Sequence, residues 1–369
     1  MKHIVHMTSA HPRYDTRIFL KECCALAETF RVSLVVADGK GDELKTGVEI
    51  VDAGASKGRI DRIVNAADRV YRKAMALDAD LYHCHDPELL WAALRLKRRG
   101  KIVVFDIHEM VTEQIKSKHY LPKWLRAGVA LTYGMLERVL LPKLDGLVLA
   151  EASYRSRYAL LNDTVAVVQN MPDAAFLAPF VSSQRDRNEL FYVGAISDAR
   201  GLDVTLRALK LLKKRGVAFK MHYIGNLQGS TREGLDLEGI EEEVVFYGRM
   251  TLDEAYGLSR HAKAGLSVLQ PIGNYLHSYS TKIFEYMAIG LPVITSDFEL
   301  YRDVVEKHRC GICIDPRSPE ALAEAIVFLF DHPDAVERMG ENGKKAVHSV
   351  YNWSHEKAAL MQLYGAVMQ

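Results

Sequence analysis

No stretch of this 369-residue chain approaches the roughly 18 consecutive apolar residues that a bilayer-spanning helix needs. The opening run Met1-Lys2-His3-Ile4-Val5-His6 lacks the long apolar segment of a signal peptide. Both absences lead us to expect a cytoplasmic protein, with at most a peripheral hold on the inner face of the plasma membrane. Cysteine is scarce: Cys23, Cys24, Cys84, Cys310 and Cys313 are too few for a disulfide framework in a chain this long. Cys310 and Cys313 form one CxxC, and no second pair stands at a spacing that would complete four zinc ligands. They read as buried thiols. Net charge is nearly absent, 48 Lys+Arg against 47 Asp+Glu, which argues against a dedicated nucleic-acid binder. Neither GxGxxG nor GxxxxGK(S/T) occurs, which disfavours a nicotinamide-dependent dehydrogenase and a P-loop NTPase. There is no internal repeat and no low-complexity segment.

What is present is an ordinary globular balance, 49% hydrophobic and 26% charged. Short β-branched runs alternate with longer amphipathic stretches. Strands are predicted at 2–8, 32–37, 80–84, 101–106, 146–150 and 165–169, with a helix over 17–29 that Asp15 or Thr16 can cap. A stretch over 171–189, with Pro172, Pro179 and five charges, breaks the alternation and reads as a linker. Strands resume at 190–194, 219–224, 244–247, 265–269, 292–295 and 311–314. The pattern implies two doubly wound, Rossmann-like α/β domains with parallel sheets, facing each other across a cleft. We place the first over 1–175 and the second over 176–352, with a terminal helix over 353–369 free to return to the first. Ligands of such sheets bind beyond the carboxyl ends of the strands.

The most specific stretch is Ser280-Thr281-Lys282-Ile283-Phe284-Glu285-Tyr286-Met287-Ala288-Ile289-Gly290-Leu291-Pro292. A Ser-Thr pair opens a helix, with Lys282 in its first turn and Glu285 one turn deeper. Helix N–H groups and Lys282 attract a diphosphate, and Glu285 can accept two hydrogen bonds from a diol such as ribose. This pattern resembles the donor-binding helix of the family-4 glycosyltransferases, which have the GT-B fold. The second Glu of the family's E-x7-E is matched by Glu285, and the first falls on His277. Asn274, Tyr275 or His277 are then left to meet the donor sugar. Phe191–Leu202 resembles the family's G-R-x4-K-G loop, with Ala195 in place of its Arg and Arg200 in place of its Lys. Phe246-Tyr247-Gly248-Arg249-Met250 is similar to the turn that carries the nucleotide base, although Arg249 also fits a plain surface residue.

In the first half, Asp106-Ile107-His108-Glu109 ends a strand and resembles the D-x-H-E variant of the same family, whose His faces the transfer centre. Asp106 or Glu109 can orient His108. Asp15 and Arg17 resemble a D-x-R variant, in which Arg17 reaches phosphate or acceptor; a structural ion pair is the alternative. His83-Cys84-His85-Asp86 suggests a metal, but a third ligand is not evident, and Asp86 with Pro87 reads better as a helix cap. Residues 116–144 hold six Lys/Arg and one Glu with interleaved Trp, Tyr and Leu, a composition suited to an anionic membrane surface.

The resemblance implies a retaining glycosyltransferase moving a sugar from a nucleotide diphosphate donor to a hydroxyl of a glycan or lipid-linked acceptor. It implies no metal and no cofactor: Arg200, Lys282 and the helix start would neutralise the leaving diphosphate. The alternatives are an inactive GT-B module that binds nucleotide-sugar or glycan, and a nucleotide-sugar epimerase.

Overall fold

The computed structural model describes residues 1–58, 61–116, 122–229 and 234–369. Contacts divide the chain into two units, Met1–Asn170 with Trp353–Gln369, and Met171–Asn352.

The first unit holds eight strands among the described residues: β1 His3–Met7, β2 Arg31–Val36, β3 Glu43–Lys45, β4 Val48–Asp52, β5 Leu81–Cys84, β6 Ile102–Ile107, β7 Gly146–Leu149 and β8 Val165–Val167. Their order across the sheet is β3-β4-β2-β1-β5-β6-β7-β8. All neighbours are parallel except β3 and β4. The β3–β4 hairpin is absent from the sequence expectation: β3, at the exposed edge, carries no apolar pattern, whereas Val48, Ile50 and Val51 of β4 are buried and do carry one. Its two-residue turn, Thr46-Gly47, has φ of 47° and 80°, the primed geometry that matches strand twist.

The second unit holds β9 Glu189–Val193, β10 Lys220–Ile224, β11 Val244–Gly248, β12 Ala264–Ser267, β13 Val293–Ser296 and β14 Gly311–Ile314. The order β11-β10-β9-β12-β13-β14 is wholly parallel. Each sheet is covered on both faces, so its central strands are almost entirely buried, while the outer strands β3, β8, β11 and β14 are partly exposed. In both sheets the strand order reverses once, between β1 and β5 and between β9 and β12. A crevice opens at the carboxyl ends where connections leave in opposite directions. Topology alone therefore marks one candidate site per unit.

Two segments behave differently from a simple linker and tail. Within 171–189, Asp173 caps a short helix, Ala174–Leu177. Arg185 is buried, donating to the carbonyls of Gly290, Ser259, Ala262 and Ile289. The stretch is irregular yet fastened to the second unit. The final helix, Trp353–Val367, packs Trp353, Leu360, Leu363 and Tyr364 into the core of the first unit, with Ile4, Phe19, Leu34 and Val148. Leu360→Ala should therefore cost roughly 2–5 kcal/mol, read as a lowered urea midpoint. An unchanged midpoint would mean the helix is dispensable.

Candidate functional site

The first candidate site lies where β1, β5 and β6 end. Asp15 starts the helical segment that follows β1: its Oδ1 accepts from the N–H groups of Arg17 and Ile18 at 2.8 and 2.9 Å. This orients Arg17 inward. Arg17 Nη2 stands 3.0 Å from Asp106 Oδ2, its Nε pairs with the same carboxylate, and Nη1 donates to the Val168 carbonyl at 2.7 Å. The expectation that Arg17 reaches phosphate or acceptor is corrected by this geometry, because its guanidinium is buried and bonded within the unit. Burial pushes the Asp106 carboxyl up, but Arg17 and then His108 outweigh it and hold the group well below the usual range.

His108 Nε2 stands 3.0 Å from Asp106 Oδ2 and 3.2 Å from His85 Nδ1, and its side chain is 19% exposed. Of this group it is the member placed to meet a ligand. Glu109 is exposed and bonds Gln114 rather than His108, so Asp106 is the orienting carboxylate. Asp86 does not cap its own helix. Its carboxylate accepts from Thr8 Oγ1 at 2.8 Å and Ser9 N at 2.6 Å, and stands 2.9 Å from His11 Nδ1. The expected cap is thus a clamp between the β1 loop and β5.

Behind His108 lies a cluster that sequence spacing did not reveal. His6 and His83 are register partners on β1 and β5, and His85 follows two residues on, with Glu22 opposite. Ligand atoms of His6, Glu22, His83 and His85 lie within 4.8 Å of one another, as do those of His85, Asp106 and His108. The missing third ligand of the His-x-His pair is therefore present in space. Burial and then the neighbouring His85 lower the His6 and His83 pKa values well below the ordinary range. Burial lowers His85 to about 4 despite Asp106, and burial raises Glu22 well above the carboxylate range despite Arg17.

The second candidate site is built on glycine and cation. Gly194, Gly225 and Gly248 end β9, β10 and β11 with φ of 128°, 136° and 71°. A Cβ on Gly225 would stand 1.9 Å from the Gly194 carbonyl, and one on Gly194 would stand 2.9 Å from Lys282 Cε. Only glycine lets this backbone close up against Lys282. The helix Thr281–Ala288 begins at Ser280, but the Ser280 hydroxyl bonds Ser267 Oγ at 2.8 Å in the core and does not cap it. Lys282 is buried, 5.3 Å above the Tyr192 ring, and has no ion-pair partner among the described residues. Burial and then the nearby Arg200 lower its pKa to about 8, against the pull of Glu285. Lys282 thus lies against glycine backbone with Arg200 nearby, and no carboxylate among the described residues is bonded to either. Glu285 Oε2 accepts from the buried Tyr256 hydroxyl at 2.8 Å, which leaves Oε1 for a ligand. Asn274 lies in the short helix Gly273–Leu276, with His277 exposed just after it. Arg249 is exposed beside Gly248.

The lysine predicts a pH dependence. An anion at this site favours charged Lys282, whose proton leaves the free protein near pH 8. Affinity for a nucleoside diphosphate should therefore fall between pH 7 and 9.5, with proton uptake on binding near pH 8–9. Calorimetry in buffers of different ionisation enthalpy measures both. A flat profile would remove Lys282 from the anion site.

With this geometry in place, comparison with known proteins is informative. Residues 177–346 match the family glycosyl transferases group 1. The chain is 22% identical over 296 residues to a glycogen synthase of Mycobacterium tuberculosis, covering 77% of this chain and 68% of that protein. It is 25% identical over 313 residues to a phosphatidyl-myo-inositol mannosyltransferase of Mycobacterium leprae, covering 81% and 76%. In fold it is similar to sucrose-phosphate synthase from Thermosynechococcus elongatus, with a TM-score of 0.75 at 16% identity over 99% of this chain and 98% of that one. It is also similar to Anabaena HepE in complex with UDP-glucose, with a TM-score of 0.71 at 14% identity over 99% and 100%. The two parallel-sheet units are those of the GT-B fold, and the resemblance drawn from the donor-helix motif holds. The second unit, site included, thus matches the glycosyl transferases group 1 over residues 177–346, and the chain as a whole shares the GT-B fold of its structural neighbours.

Proposed function

We propose that the protein is a retaining hexosyltransferase that moves a sugar from a nucleoside diphosphate donor to a hydroxyl of a glycan or lipid-linked acceptor. The observation that carries the reading is Lys282, buried beside Arg200 with no carboxylate bonded to either. Burying an ammonium without a partner is costly, and a diphosphate supplies the missing charge. Its charge grows as the glycosidic bond breaks, so the two cations act most strongly in the transition state. In this reading they take the place of a metal at the diphosphate. Glu285 holds the ribose diol, Gly248 and Arg249 border the base, and Asn274 with His277 meets the sugar. In the first unit His108, oriented by Asp106, is the residue placed to meet a ligand. Structural neighbours in complex with UDP and UDP-glucose support a nucleotide-sugar donor.

A thermal-shift screen of nucleoside diphosphates and their sugars, in EDTA, tests the reading. Ligand at 100 times its dissociation constant adds about 2.7 kcal/mol. Glu285→Ala should fold normally and weaken the selected nucleotide by roughly 1.5–3 kcal/mol per lost bond. Equal affinity of variant and wild type would sink the ribose assignment, and a strict need for added divalent ion would sink the cation mechanism.

We also propose that the first unit meets an anionic membrane surface. No helix among the described residues is long and apolar enough to cross a membrane. The helix Lys123–Leu140 does expose Trp124, Leu131, Met135 and Val139 at spacings of seven, four and four, one continuous stripe. Arg138 and Lys143 are exposed nearby. Lys118, Tyr120 and Leu121 of the expected segment lie outside the described residues. Sedimentation with anionic vesicles at low salt should occur and reverse as salt rises. Trp124→Ser with Leu131→Ser should weaken it. Wild type that ignores such vesicles would refute the surface role.

A further inference from the structure

We propose that His6, His83, His85 and Glu22 form a buried site for one tetrahedral divalent cation of the zinc class, fastening the first unit behind His108. Four potential donor atoms converge there. Glu22 Oε2 stands 3.8 Å from His6 Nδ1, 3.9 Å from His83 Nδ1 and 3.9 Å from His85 Nε2. His6 Nδ1 and His85 Nε2 are 2.8 Å apart. A tetrahedral ion with bonds of about 2.0–2.1 Å separates its ligand atoms by roughly 3.3–3.4 Å. Four of the six separations in the set miss that value by about half an ångström, three above and one below, so closing the shell takes ligand movements of that order.

The unsatisfied groups point the same way. Glu22 is fully buried, and neither of its carboxylate oxygens has a hydrogen-bond partner. Arg17 Nε approaches Oε1 at 3.1 Å, but the same guanidinium is bonded to Asp106. Two buried carboxylates share one guanidinium, leaving the cluster one positive charge short. Protonating Glu22 would remove the charge shortfall but leave its oxygens unbonded, because every histidine nitrogen facing Oε2 stands at 3.8 Å or more, beyond hydrogen-bond reach. A cation ligated by Glu22 satisfies the charge and the lone pair together.

The outer contacts fit as well. A metal-bound histidine normally donates its other N–H to a carboxylate or similar acceptor. His85 Nδ1 stands 3.4 Å from Asp106 Oδ2, and His6 Nε2 stands 3.3 Å from the Tyr364 hydroxyl. Ligation by His83 Nδ1 replaces its 2.7 Å contact with Tyr364. Three imidazoles and one carboxylate are a donor set suited to zinc and unsuited to magnesium or calcium. All four ligands are fully buried or nearly so, so the ion enters as the unit folds and exchanges slowly. The proposal is independent of the diphosphate mechanism in the second unit, and it departs from the expectation that the chain holds no metal.

The test uses the full chain, untagged. Elemental analysis and native mass measurement of wild type should find about one zinc per chain, kept through dialysis against EDTA and lost on unfolding in urea with EDTA. Refolding with Co²⁺ should give the visible bands of tetrahedral cobalt. Glu22→Gln, nearly isosteric, should lower the metal content several-fold. If that variant fails to fold, the wild-type cobalt spectrum alone decides. Wild type without a stoichiometric transition metal, and without cobalt bands after refolding, overturns the site: the His6–His85 contact is then a shared proton. UDP binding by the same samples reports separately on the second unit, so either reading can fail while the other stands.

Discussion

Parallel sheets covered on both faces have nowhere to put polar chemistry except at their strand ends, and that constraint organises both units. Along β1, β5, β9 and β12 the side chains are almost all buried, so every charge within reach must be paired, bonded or placed beyond the last strand residue. The reversal of strand order then fixes which ends open. The same rule produces two sites of opposite character. One is rich in carboxylates and histidines, and the other gathers cations on glycine backbone.

In the first unit the rule is stretched. His6 and His83 sit inside strands, facing the core rather than the open end. They are tolerated because Glu22, His85 and Tyr364 surround them with polar atoms from a helix, a strand end and the C-terminal helix. The Arg17–Asp106 pair joins this interior to His108 at the surface. Removing Arg17 would take from two buried carboxylates, Asp106 and Glu22, the guanidinium they share, which is far more damaging than replacing the pair together. The order of the loop after β1 therefore depends on a carboxylate 89 residues away.

The alternation of strands and helices was legible because parallel strands are uninterrupted apolar runs. Lys282 and Glu285 were legible because three residues of spacing put both near one helix face. What spacing cannot show is a contact made across the sheet. His83 and His85 announced a common face, but His6 and Glu22 reach them only through the β1–β5 register and the packing of the first helix. Asp86 looked like a cap because Pro87 follows it, yet the stronger donors were the Thr8 and Ser9 groups delivered by β1. Arg17 read ambiguously for the same reason: its partner Asp106 lies on another strand. β3 escaped because an exposed polar edge carries no period, whereas β4, with Val48, Ile50 and Val51 buried, does carry one.

The unpaired lysine links stability to function in the second unit. Lowering its pKa from 10.5 to about 8 costs the free fold on the order of 3 kcal/mol at neutral pH. Between pH 8 and 10.5 the unfolded chain holds this proton and the folded one does not. The contribution of Lys282 to stability therefore rises with pH across that window. A bound anion reverses the balance, since it restores the favourable charged form within the fold. The second unit is thus least relaxed when empty at neutral pH and gains most from a ligand there. That is the behaviour expected of a site whose strain an anionic ligand relieves, and it accounts for a buried cation that has no carboxylate partner among the described residues.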